Sequence, residues 1–176
     1  MKENLVTRRE MLKAAAAATV AVPAFGQSKS KVKAPQFFTP HEFALVDELT
    51  EIIIPTDEHS PGARAAKVAA YIDQTLAEAF TNEPREQWRT GLKLIDALSH
   101  LMHHKSFLNS SAEQRENVVA KIAQSEQNPK LPEEEFFAEL KQRTARGYYT
   151  SKIGIHQEME YKGNTYLKEY VGEEVK

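Results

Sequence analysis

Phe38-Thr39-Pro40-His41-Glu42-Phe43 reads as the opening of a helix. Thr39 can cap the first turn. Pro40 suits the first helical position, where its missing N–H would have no partner anyway, and Glu42 completes a capping box with Thr39. Phe38 and Phe43 flank this cap at the spacing of a hydrophobic staple. Phe43, Val46, Leu49 and Ile53 then draw one apolar stripe at helical spacing. Ile54-Pro55 ends it, because a residue before proline is pushed out of helical geometry. A capped, one-sided helix is the unit from which the fold is built, and the pattern recurs downstream.

Thr56 to Ser60 is a polar loop, and Ser60-Pro61 starts a second helix. Ala65, Ala69, Ile72, Leu76 and Phe80 share a face of it. The small residues Gly62, Ala63, Ala65, Ala66, Ala69 and Ala70 let another backbone approach closely. A third helix is expected from Pro84 to His104, with Trp88, Leu92, Ile95, Leu98 and Met102 inward. Ser110-Ser111-Ala112-Glu113 is a second capping box, opening a fourth helix with Val118, Val119 and Ile122 inward. The fifth begins at Leu131-Pro132. Glu133, Glu134 and Glu135 fall in its first turn and Lys141, Arg143 and Arg146 towards its end, an order that complements the helix dipole. Gly147 fits as its C-terminal stop. No segment alternates convincingly with period two, so the expectation is an all-α single domain of about five helices with an irregular Tyr/Gly-rich C-terminal tail.

Composition narrows the function classes. With 25 acidic and 23 basic residues, the chain has no clustered basic excess of the kind that marks a nucleic-acid face. It has no cysteine, so no disulfide braces it, and stability must come from its core or from a partner subunit.

At the head of the chain, Arg8 and Arg9 stand before a weakly apolar, alanine-rich run from Ala14 to Val22. Pro23, Ala24, Phe25 and Gly26 follow, with small residues at Ala24 and Gly26 for cleavage after either. This resembles a twin-arginine (Tat) export signal, read by the Tat translocon. The apolar run is shorter than the roughly 20 residues a spanning helix needs. The chain therefore divides into a signal at 1–26, a Lys/Ser-rich linker at 27–36, a helical domain at 37–147 and a docking tail at 148–176. Tat substrates typically fold before crossing the membrane, often around a cofactor. No cofactor motif follows here, which suggests travel with a cofactor-bearing partner.

The last thirty or so residues hold Tyr148, Tyr149, Tyr161, Tyr166 and Tyr170, five of the six tyrosines, punctuated by Gly154, Gly163 and Gly172. A tail of this kind builds no core of its own. It wraps its own helices or lies on another protein, where tyrosine is enriched. The partner interface is assigned to Tyr148, Tyr149, Ser151, Gly154, Tyr161, Gly163, Tyr166 and Tyr170, with Pro61 and Gly62 beside them.

Ile53-Ile54-Pro55-Thr56-Asp57, Ser60-Pro61-Gly62-Ala63 and Tyr71-Ile72-Asp73 resemble the gluconate 2-dehydrogenase subunit 3 family. So do Gly147-Tyr148-Tyr149-Thr150-Ser151-Lys152-Ile153-Gly154 and Glu160-Tyr161-Lys162-Gly163. The likeness extends from about Phe38 to Gly172. It implies a small subunit without cofactor or catalytic residues, accompanying a large FAD-dependent subunit of the glucose–methanol–choline type, often with a multihaem cytochrome c. Members commonly carry the Tat signal and are thought to take the flavoprotein along, which implies a periplasmic complex, membrane-associated through its other subunits. The chain departs from some members in lacking cysteines.

Three other groupings invite chemistry. Asp96, His100 and either His103 or His104 share a helix face at metal-ligand spacing, although one helix offers too few ligands to close a site. They carry the alternative reading, a free-standing periplasmic metal-binding protein or metalloenzyme using the His100/His103/His104 face. Asp57-Glu58-His59 sets acids beside a histidine, a pattern better suited to capping than to acid–base catalysis. Thr150 and Ser151 have no evident base nearby in sequence. A periplasmic binding protein without a dehydrogenase is the third reading.

Overall fold

The computed structural model describes residues 34–161 and residue 163. The expected signal with Arg8 and Arg9, most of the expected linker, and Tyr166 and Tyr170 lie outside the described residues. The domain is all-α, with helices α1 Pro40–Ile53, α2 Gly62–Ala65, α3 Val68–Ala77, α4 Glu83–His103, α5 Ala112–Ala123 and α6 Pro132–Tyr149. A 3-10 turn, Phe107–Asn109, and a π-helical turn, Gly154–Glu158, complete it. Five of these helices are long, as the capped stripes predict. No helix among the described residues is long and apolar enough to cross a membrane.

Local chemistry sets the start of α1. The Glu42 N–H donates to Thr39 Oγ1 at 3.2 Å, and the Thr39 N–H donates to Glu42 Oε2 at 2.8 Å. Leu45, Val46 and Leu49 are fully buried, and Phe43 and Ile53 flank them half-buried.

The expected second helix is broken. Lys67 adopts a left-handed conformation with φ 58°, so α2 is a single turn and α3 restarts in a new register. Ala65 is thereby exposed, and Val68, Ala69, Ile72 and Leu76 face the core. Phe80 lies beyond the end of α3 and is fully exposed, so it is not part of this face.

Further corrections follow the same logic of packing over pattern. In α4 the inward set is Trp88, Gly91, Leu92, Ile95 and Ser99, while Leu98 is half-buried and Met102 exposed, because the stripe drifts around the helix towards its end. The α5 cap is Ser111 with Gln114, one residue later than the box read from Ser110 and Glu113. Ser110 is instead buried, 3.2 Å from the Ser99 hydroxyl. Gly147 does not stop α6, which continues to Tyr149 and crosses the expected 147/148 boundary. A Cβ on Gly147 would stand 2.7 Å from Tyr71 Cδ1 and 3.2 Å from Val68 Cγ1, so the glycine permits close approach of α3 and α6. Gly91 does the same for α4 and α6, where a Cβ would collide with the Phe136 ring.

The core centres on Trp88. Its ring lies 5.9 Å from that of Phe38 and meets Phe136 edge-on at 5.3 Å. Asp73, buried on α3, fastens the start of the domain: its carboxylate accepts the N–H groups of Gln36 at 2.6 Å, Phe37 at 3.0 Å and Phe38 at 2.8 Å. A buried carboxylate demands such donors, and three successive amides supply them.

Candidate functional site

The loop from Ile54 to Gly62 and the end of α6 form one unit. Within the loop, Asp57 Oδ1 accepts the His59 and Ser60 N–H groups at 2.8 and 2.7 Å. These bonds favour the carboxylate, so the Asp57 pKa lies below its ordinary value, first through Ser60 and then through His59. The side chain is therefore a turn-former, consistent with the capping reading of Asp57-Glu58-His59. Glu51 holds the other side of the loop: its carboxylate accepts the Thr56 N–H at 3.1 Å and the Arg64 N–H at 2.8 Å. Arg64 in turn pairs with Asp47 and Glu48 at 2.6 and 2.8 Å.

Gly62 is required where it stands. Its φ is +80°, and a Cβ would come within 2.5 Å of Thr56 Oγ1 and 2.8 Å of Glu51 Oε1. Its N–H donates to Ser60 Oγ at 3.2 Å. The Ser60 hydroxyl lies 2.7 Å from the Tyr148 hydroxyl in a buried contact, and the Tyr148 O–H donates to Glu158 Oε2 at 3.3 Å. With Tyr148 donating to the carboxylate, Ser60 donates to Tyr148. The hydrogen-bond chain runs from the Gly62 N–H through Ser60 and Tyr148 to the accepting Glu158 carboxylate, and ties loop, helix and π turn together. Burial raises the Tyr148 pKa above its ordinary value, so the phenol stays a neutral donor.

These contacts sort the residues assigned to an interface. Gly62, Tyr148 and Gly154 are buried, and Pro61 and Ser151 are half-buried. Tyr148 is wholly enclosed, so its ring supports the surface rather than forming it. Gly154 sits against the Tyr148 carbonyl, where a Cβ would collide, and its N–H donates to Ser151 Oγ at 3.0 Å. Tyr149, Tyr161 and Gly163 face outward. Tyr149 stacks edge-on to Tyr148 at 5.2 Å and is 44% exposed, and Tyr161 is 55% exposed. Met159, which the tyrosine pattern overlooked, is 50% exposed beside them in the chain. The outward group is thus aromatic and thioether-rich, a composition enriched at protein interfaces.

The other candidates are spent on structure. Asp96 Oδ1 accepts the Phe107 N–H at 2.9 Å and so caps the 3-10 turn. His104 is the left-handed residue ending α4, with φ 57°. Among the described residues no three His, Cys, Asp or Glu side chains converge as metal ligands, and His100, His103 and His104 are not gathered into a site. The Thr150 hydroxyl donates to the Arg146 carbonyl at 2.7 Å, an ordinary back-bond within the helix.

No curated protein and no solved structure matches the chain significantly. The sequence model of gluconate 2-dehydrogenase subunit 3 matches residues 40–165, a span that holds all of α1 to α6, the loop and the π turn. The chain belongs to the gluconate 2-dehydrogenase subunit 3 family.

Proposed function

We propose that the chain is the non-catalytic small subunit of an exported, FAD-dependent dehydrogenase complex acting on a sugar or sugar acid. The match to a dehydrogenase subunit over residues 40–165 carries this reading. FAD is held by a large subunit of the glucose–methanol–choline type, and a cytochrome c subunit completes the complex. The small subunit stabilises the flavoprotein and takes it through the Tat translocon to the periplasm, guided by Arg8 and Arg9 within the signal at 1–26. Tyr149, Met159 and Tyr161, set on the Ser60–Tyr148 anchor, supply the docking surface. Exposed aromatic and thioether side chains on a rigid base give contact area at low entropic cost.

Co-expression with the flavoprotein and cell fractionation test both parts. The two chains co-purify, and replacing Arg8 and Arg9 with lysine holds both in the cytoplasm. A flavoprotein that still reaches the periplasm with the lysine variant sinks shared export. Failure of the wild-type chains to co-purify sinks the subunit reading itself.

A further inference from the structure

A groove of about 540 Å³ opens between the N-terminal halves of α4 and α6. Trp88, Leu94, Pro132 and Phe136 give it an apolar lining. Glu83, Glu86, Glu135 and Glu139 line it too, and among the described residues no lysine or arginine does, although Arg143 lies over the Trp88 ring at 5.7 Å. Glu139 pairs with Arg143, whereas Glu83, Glu86 and Glu135 have no ion-pair partner among the described residues. Acids in a first turn complement the helix dipole, which explains some of this charge. Glu139 lies beyond that turn and is compensated by Arg143, which leaves Glu83, Glu86 and Glu135 as the groove's unpaired acids among the described residues. Large apolar side chains stand exposed where both helices begin: Phe80, shortly before Glu83, is 103% exposed, and Leu131, next to Pro132, is 50% exposed. Trp88 is buried in the groove wall, and its indole N–H has no acceptor among the described residues.

We propose that this groove seats an arginine- or lysine-bearing segment of the large dehydrogenase subunit. The inference rests on the subunit reading above and adds a second contact, on the opposite end of α6 from Tyr149. Charge complementarity selects the occupant. A long basic side chain lays its aliphatic stem along Leu94, Pro132 and Phe136 and brings its cation to Glu86 and Glu135. Phe80 and Leu131 extend the apolar contact at the groove's ends. Interactions of this kind steer the partners together and weaken with salt.

The test is co-purification of the full-length chain with the co-expressed flavoprotein across a salt series. Glu86→Lys/Glu135→Lys retains about tenfold less flavoprotein than wild type, and Glu86→Gln/Glu135→Gln falls between them. Both sites are exposed first-turn acids, so the isolated lysine variant melts cooperatively but somewhat below wild type, and the glutamine variant less so. Undiminished retention by the lysine variant, with wild type binding normally, overturns the groove assignment and leaves the subunit reading intact. A glutamine variant as weak as the lysine variant, with no change in salt dependence, also overturns it, since charge would then not be what the partner reads. A wild-type chain that retains no flavoprotein overturns the subunit reading, and this proposal with it.

Discussion

The hydroxyls of Ser60 and Tyr148, 88 residues apart in the chain, meet at 2.7 Å in a buried contact. Ser60 closes the loop before α2, and Tyr148 is the largest buried side chain after Trp88. A serine next to a proline and a tyrosine after a glycine gain meaning only once both are in place.

Removing that contact separates hydrogen bonding from packing. Tyr148→Phe leaves the ring and strands the Ser60 hydroxyl, at a cost of about 1–2 kcal/mol. Tyr148→Ala also opens a cavity and costs about 3–5 kcal/mol. Denaturant melts of the two variants rank them in that order. Equal stability for Tyr148→Phe and wild type would show that the hydroxyl chain contributes nothing.

Truncation after Gly147 removes Tyr148 from the core, so the shortened domain unfolds or melts far below the full chain. By contrast, Tyr149→Ala/Tyr161→Ala removes outward rings, one of them stacked on Tyr148. It costs about 0.5–1.5 kcal/mol, too little to unfold the domain, while co-purification with the flavoprotein falls. Retained binding by this double variant would remove the outward aromatic group from the interface.

The two glycines that seat α6 against its neighbours differ in what a methyl group meets. At Gly147 a Cβ presses on the half-buried Tyr71, which can swing aside. At Gly91 it collides with the buried Phe136 ring, which is held edge-on by Trp88. Alanine gains up to about 1 kcal/mol of helix propensity at either site. Overpacking of about 1–3 kcal/mol opposes it. Gly91→Ala therefore destabilises more than Gly147→Ala, and a reversed order in thermal melts would contradict the packing described.

Asp57 gives the loop a pH dependence of known sign. Its folded pKa lies below the ordinary value because the Ser60 and His59 N–H groups stabilise the carboxylate. The contribution is complete above the ordinary carboxylate range, near pH 4. It is lost as pH falls through the lower folded value. Asp57→Asn keeps an acceptor without the charge. The stability gap between wild type and this variant narrows on acidification from pH 6 to 2, and a constant gap would assign the loop's order elsewhere.

Much of the fold was legible because it rests on local chemistry. The Thr39 box, the proline stop, the stripes of α1 and α5 and the first half of that of α4 depend on residues within a turn or two of each other. What escaped was set at a distance. Lys67 breaks the second helix although nothing adjacent to it forbids continuation; its left-handed backbone separates α2, which buries Ala63, from α3, which buries Val68, Ala69 and Ile72. Gly147 carries the same local signature as a helix stop, and only Tyr71 across the contact reveals its other use. Asp73 had a place in a recognised motif but no role until three backbone amides from the start of the domain reached it. The candidate surface was half legible: tyrosine enrichment marked the segment, yet enrichment does not distinguish Tyr148, turned inward, from Tyr149, turned outward.

Helix α6 carries the acidic groove at one end and the exposed tyrosine at the other. Glu135 and Tyr149 lie on one unbroken helix, so their separation along its axis is about 20 Å at a rise of 1.5 Å per residue. The helix is thus a ruler. A single inserted residue between them would lengthen it only slightly but swing one end about 100° around the axis relative to the other. Anything that grips both ends must be built to that span and that phase, and Gly91 and Gly147, by seating α6 hard against its neighbours, keep the ruler from sliding.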